Sequence, residues 1–180
     1  MQDLDSILEG CLNNNRKAQQ ALFEKFSPKM LALCMRYAHN QEEAEDMMIE
    51  GFVLVFKQLQ TFRKECSLET WIHTVMVRSA INIYRSQKKF RLHDELDAQV
   101  EIEMTTSDAD DILTKLQAQQ ILTLIRQMPD DLRIILNLHV IDGLSLKEIA
   151  QQLEKKESTV RVYFMRARQW LMKKIQDTEN

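Results

Sequence analysis

Two cysteine–histidine pairs, Cys34 with His39 and Cys66 with His73, are the nearest approach to a nucleophile or metal site in this 180-residue chain. An activated thiol needs a base oriented by a third group, and a zinc site needs at least three protein ligands. Neither pair has a third ligand or an orienting acid nearby, so both read as packing residues. His93 lies in polar sequence and His139 in an apolar run, and neither adds a constellation. The three glycines, Gly10, Gly51 and Gly143, are isolated, which argues against the clustered-glycine loops that cradle phosphates. The expectation is therefore no catalytic residue, no metal and no cofactor. What remains is reversible ionic chemistry, concentrated in Arg161, Arg166 and Arg168 with Val162 and Met165 among them. Arginines of this kind reach phosphates or the paired acceptors of guanine, and apolar neighbours touch thymine methyl groups.

Those side chains need a scaffold, and the preceding residues describe one. Ser145 followed by Glu148 is a capping box, and Leu146, Ile149, Ala150 and Leu153 form an apolar stripe one helix long. The polar run Glu154–Glu157 interrupts it. A second helix, capped by Glu157 or Ser158, then puts Val160, Phe164, Ala167 and Leu171 inward. Arg161, Val162, Met165, Arg166 and Arg168 are left on the outer face. Cap, turn and basic second helix together read as a helix-turn-helix lying in a DNA groove. The competing reading of the arginines is a solvated helix face.

At this length the chain can build one large or two small cores. Three glycines, two prolines and abundant helix formers favour an all-α protein. The net charge of −3 argues against a protein that coats nucleic acid by charge alone. It conceals two basic stripes, Arg78 to Arg91 and Lys155 to Lys174, separated by an acidic stretch from Asp94 to Asp111. The three cysteines are odd in number and far apart, which fits reduced thiols. No apolar run reaches the length of a membrane span, and Met1–Asp5 lacks the basic start and apolar stretch of a signal peptide. A soluble, cytoplasmic protein without membrane insertion is expected.

Helical spacing predicts helices over 4–12, 18–38 with Pro28 as a kink, 41–59, and from a cap at Ser67 to about Lys89. The acids Glu42, Glu43, Glu45, Asp46 and Glu50 load the first half of the third. After the acidic stretch, helices resume over 112–128, stop at Pro129, and restart through Leu132 to Gly143 as a C-cap. The expected architecture is all-α, two small helical domains joined by a flexible acidic linker.

With these motifs assembled, the chain resembles bacterial RNA polymerase sigma factors of the extracytoplasmic-function (ECF) group of the sigma-70 family, which retain only regions two and four. The resemblance runs from Ala21 to Lys174 and rests on Ala21–Phe26, Glu43–Phe52, Trp71–Ile72 with Val77–Arg85, Met128–Arg133 and Gly143–Arg168. It implies region two over 1–90, the linker over 91–111 and region four over 112–180. It implies docking on the β′ clamp helices of core RNA polymerase by Glu43, Asp46, Ile49, Glu50 and Phe52. Reading and melting of the −10 element would fall to Phe62, Arg63, Lys64, Trp71, Arg78, Asn82 and Arg85, with the loop from Thr61 to Cys66 capturing an extruded base. That set agrees with the chemistry of an opened strand, which needs aromatic stacking beside cations. Ser158, Thr159, Arg161, Val162, Met165, Arg166 and Arg168 would meet the −35 element. The implied partners are core polymerase, through the β′ clamp helices and the β flap, promoter DNA, and an anti-sigma factor.

Bland readings stand beside these. Trp71 is equally a core residue, and Glu43, Asp46 and Glu50 by themselves read as a solvated helix face, which the resemblance turns into a docking surface. The sequence departs from the family pattern at Glu154, where a turn glycine is usual, which would cost about 1 kcal/mol if the backbone stays left-handed and so points to a differently shaped turn. Ser158 stands for a frequent glycine, and Val162 and Tyr163 stand where a small polar and a basic residue are common, so no base preference transfers. The alternative function is a helix-turn-helix regulator that acts without docking on polymerase.

Overall fold

The computed structural model describes residues 4–91 and 118–179, and all regular structure among them is helical. The expected linker, apart from Arg91, and the helix start at 112–117 lie outside the described residues. The chain divides into two compact units, Met1–Tyr84 and Arg85–Asn180.

In the first unit, α1 (Leu4–Leu12) turns through Asn14, whose φ of 57° is left-handed, into α2 (Arg16–Tyr37). Asn15 starts α2, its side-chain oxygen accepting the Lys17 and Ala18 N–H groups at 2.9 and 3.3 Å. α2 begins two residues earlier than its apolar spacing indicates and runs unbroken past Pro28. The proline sits on the exposed face, where a carbonyl deprived of its donor is open to water, so the expected interruption does not occur. α3 (Gln41–Gln58) is capped by Asn40, which accepts the Glu43 N–H at 2.8 Å, and tightens into a 3₁₀ turn at Leu59–Thr61. α4 (Leu68–Arg91) follows Ser67, whose hydroxyl accepts the Thr70 N–H at 3.1 Å. Leu22, Phe26, Met30, Ala44, Phe52, Val55, Ile72 and Met76 make the core. α3 and α4 meet closely at Gly51, where an added Cβ would stand 2.2 Å from the Met76 sulfur.

The second unit contains the end of α4 from Arg85 on, α5 (Ala118–Gln127), α6 (Asp130–Leu136), α7 (Leu146–Gln152) and α8 (Glu157–Glu179). α6 widens into a π-helical turn at Asn137–Ile141, closed by the Asp142 N–H donating to the Asn137 carbonyl at 3.0 Å. The helix thus ends before Gly143, which takes the left-handed φ of 75° expected of a terminating glycine. Ile125, Met128, Leu136, Ala167, Leu171 and Ile175 form one cluster, with Leu132, Phe164 and Trp170 against its edge. At the Pro129 corner the buried Arg133 guanidinium donates to the Arg126 carbonyl at 3.0 Å and to Asp130 at 2.6 Å, tying the end of α5 to the start of α6.

Candidate nucleic-acid interface

The helix-turn-helix is built from local hydrogen bonds outward. The Ser145 hydroxyl accepts the Glu148 N–H at 3.2 Å, and the Glu148 carboxylate accepts the Ser145 N–H at 2.8 Å and its hydroxyl at 2.6 Å. The bond from the Ser145 hydroxyl, then that from its N–H, holds the Glu148 carboxyl below the usual carboxylate range. Ile149, Ala150 and Leu153 are buried as the apolar stripe requires.

The turn contradicts one expectation. Glu154 keeps the left-handed backbone, with φ of 54°. The Glu154 N–H donates to the Gln151 carbonyl at 3.3 Å and the Lys155 N–H to the Ala150 carbonyl at 2.9 Å, the two bonds of a Schellman ending. The shape normally given by glycine is retained around a glutamate, because the two carbonyl bonds and the burial of Leu153 over-determine it. Within this unit the Glu154 carboxylate also pairs with Arg85.

α8 begins at Glu157, so Glu157 and Ser158 lie inside its first turn and neither precedes it as a cap. Glu157 instead pairs with Arg161 at 3.0 Å, one turn on. Val160 and Ala167 are fully buried and Leu171 nearly so. Val162 and Met165 are exposed at 46% and 47%, flanked by exposed Arg161, Arg166 and Arg168. Ser158 is exposed and Thr159 half-buried at the start of the same face. His139 is structural: its Nδ1 donates to the Leu144 carbonyl at 2.7 Å, and its ring meets Phe164 edge-on at 4.6 Å.

In the first unit the Thr61–Cys66 loop presents Arg63 and Lys64 to solvent. Lys64 has a left-handed φ of 58° and pairs with Asp5 of α1 at 2.9 Å. The Phe62 and Trp71 rings lie 5.5 Å apart, tilted and half-buried, so Trp71 both packs and keeps an open side. Arg78 and Asn82 are exposed on α4, and Arg85 is half-exposed one further turn on the same stripe, at i, i+4 and i+7.

The acidic helix needs two corrections. Phe52 is 2% exposed and stacks between Phe23 and Phe56, at 4.7 and 6.2 Å between centroids, so it is core and offers nothing to a docking partner. The Glu43 carboxylate accepts the His39 N–H at 2.7 Å, completing a reciprocal cap with Asn40. Asp46, Ile49 and Glu50 are exposed, Ile49 at 53%, and Val53 joins them at 45%. Val53 was legible as the i+4 partner of Ile49, but the larger Phe52 beside it draws attention away.

Among the described residues no three of His, Cys, Asp and Glu gather as a metal site, and no helix is long and apolar enough to cross a membrane. Burial pushes the Cys34 thiol up to about 12 and raises that of Cys11, as inert packing residues require.

Two helical units, one ending in a helix-turn-helix with an arginine-flanked apolar face, define a DNA-binding protein of the all-α class. Residues 22–90 match the family described as Sigma-70 region 2, and residues 118–171 match Sigma-70, region 4. The two matches together cover about two thirds of the chain. The RNA polymerase sigma-H factor of Pseudomonas aeruginosa is 25% identical over 181 residues, spanning 94% of this chain and 92% of that protein. The ECF RNA polymerase sigma-E factor of Escherichia coli is 27% identical over 179 residues, spanning 94% and 93%. Among solved structures, the sigma factor RpoE of Bartonella quintana, in complex with the anti-sigma factor NepR, aligns with a TM-score of 0.51 at 15% identity, covering 89% of this chain and 98% of that one. The chain belongs to the sigma-70 family of RNA polymerase sigma factors, in the ECF group. A regulator that acts without polymerase is not favoured, since the region-two match spans the whole first unit from Leu22 onward.

Proposed function

We propose how this sigma factor divides its work among its residues. As a sigma factor it binds core RNA polymerase and directs promoter-specific initiation of transcription. The exposed strip of α3, Asp46, Ile49, Glu50 and Val53, meets the β′ clamp helices, with acids to attract a basic surface and two apolar side chains to bury. Glu43 supports that strip by fixing the start of the helix. The loop from Phe62 to Lys64, Trp71, and the α4 stripe of Arg78, Asn82 and Arg85 take the opened −10 element, stacking beside cations. Ser158, Thr159, Arg161, Val162, Met165, Arg166 and Arg168 read the −35 element. Region two occupies 1–90, the linker 91–111 and region four 112–180. The factor acts as a cytoplasmic initiation factor and not as a catalyst, and family membership also implies an anti-sigma protein as a rival occupant of these surfaces.

The observation that carries the reading is the pair Val162 and Met165, large apolar side chains left half exposed between arginines on the second helix of the motif. A helix face meant only for water has no use for them, whereas a major groove lined with thymine methyls does. The test is run-off transcription by core polymerase with and without the chain on a genomic promoter library. Start sites that depend on the added chain are expected; no stimulation at any promoter would overturn the reading.

A further inference from the structure

Besides Arg85, which pairs with Glu154, two cations assigned above to DNA are held by carboxylates of the same chain. Lys64, at the tip of the loop assigned to the −10 element, donates to Asp5 at 2.9 Å, from a residue 59 positions distant and outside the region-two match. Arg161, the first arginine of the recognition face, donates to Glu157 at 3.0 Å. Both pairs are open to water, the Lys64 and Asp5 side chains at 66% and 75% and those of Arg161 and Glu157 at 62% and 47%. Among the described residues Arg63, Arg78, Arg166 and Arg168 make no ion pair, so pairing falls on particular members of each set. At Lys64 it is reinforced by the backbone, whose left-handed φ of 58° fixes where the side chain leaves the loop. Asp5 also raises the proton affinity of Lys64, through its hydrogen bond first and its charge second.

In each pair a carboxylate oxygen stands at the distance a phosphate oxygen would take from the same donor. We infer that Asp5 and Glu157 are built-in phosphate surrogates, each holding a DNA-contacting cation in the free chain and yielding it when the backbone of a nucleic acid arrives. The consequence is a weakened grip on DNA at large. Phosphate contacts supply essentially all non-specific affinity, so spending part of each contact on displacing an internal acid lowers binding to every sequence. A factor whose specificity is expressed within the polymerase then avoids retention on random DNA. The inference rests on the reading that Lys64 and Arg161 meet DNA.

The test uses the full chain, a fluorescently labelled single strand and a duplex of the same arbitrary sequence, with anisotropy read at low salt. Asp5→Asn is expected to tighten single-strand binding, and Glu157→Gln duplex binding, by about two- to five-fold each, the range for exposed ion pairs. The decisive arm is a double-mutant cycle: the gain from Asp5→Asn disappears in a Lys64→Gln background, and that from Glu157→Gln in an Arg161→Gln background. Both gains shrink as salt is raised. Glu9→Gln, which removes an exposed acid from the same helix as Asp5, is expected to act alike with and without Lys64. If Lys64→Gln and Arg161→Gln weaken binding while the acid substitutions give no gain, or the same gain in both backgrounds, the inference falls and the DNA reading stands. If the two cation substitutions leave binding unchanged, the DNA reading falls and the inference with it.

Discussion

Phe52 and Val53 are chain neighbours with opposite fates, one inside the first core and one on the docking strip. Phe52→Ala should cost about 3–5 kcal/mol of stability in chemical denaturation, the range for a buried aromatic. Ile49→Ala and Val53→Ala should leave stability within about 0.5 kcal/mol, as exposed substitutions do, while weakening core polymerase binding about tenfold together in a pull-down titration. Equal affinity for the double variant would remove the strip from the proposed interface. The cysteines divide in the same way. Cys66 is exposed, whereas Cys34 is fully buried with its thiol pushed up to about 12 and Cys11 is buried and raised. A thiol reagent should therefore modify Cys66 rapidly in the native chain and reach the other two only on unfolding, which a time course with and without denaturant checks.

The helix-turn-helix shows how local chemistry sets an element. Ser145→Ala should cost about 1 kcal/mol, the usual value of an N-cap. Glu148 gives that cap a pH dependence. Its folded value lies below the ordinary 4.5, so its contribution is fully present above that pH and is lost as pH falls through the depressed value. Glu148→Gln should lower stability at neutral pH and flatten the acid limb of a stability-against-pH curve, so that variant and parent converge at low pH. At Glu154 the left-handed backbone costs a non-glycine residue about 1–2 kcal/mol, while glycine loses about 0.5–1 kcal/mol more in chain entropy on folding. The exposed pair with Arg85 is worth little. Glu154→Gly is thus expected to raise stability by about 0.5 kcal/mol in urea titration, and a decrease would mean that the carboxylate matters more than the backbone.

Across the whole molecule, the proposed division of labour separates two steps of initiation. Arg161→Ala with Met165→Ala should lower promoter occupancy by holoenzyme, read by footprinting, while occupied promoters still open. Arg78→Ala with Asn82→Ala should leave occupancy nearer normal and reduce strand opening, read by permanganate reactivity of unpaired thymines. The same loss in both assays for both variants would contradict the division.

The helices of both units, the capping box and the inward residues Val160, Ala167 and Leu171 were legible in the sequence, because caps and 3.6-residue periodicity act between residues a few positions apart. Even the continuity past Pro28 turned only on which side the proline faced. What local pattern does not carry is the choice among neighbours of similar type. Packing of α2 against α3 drew Phe52 inward and left Val53 out, the fold around Leu153 held Glu154 in a glycine's conformation, and the return of α1 to the loop after α3 placed Asp5 on Lys64. These outcomes depend on contacts between residues far apart in the chain, whose free energy is set by the shape of the assembled core and has no signature in spacing or composition.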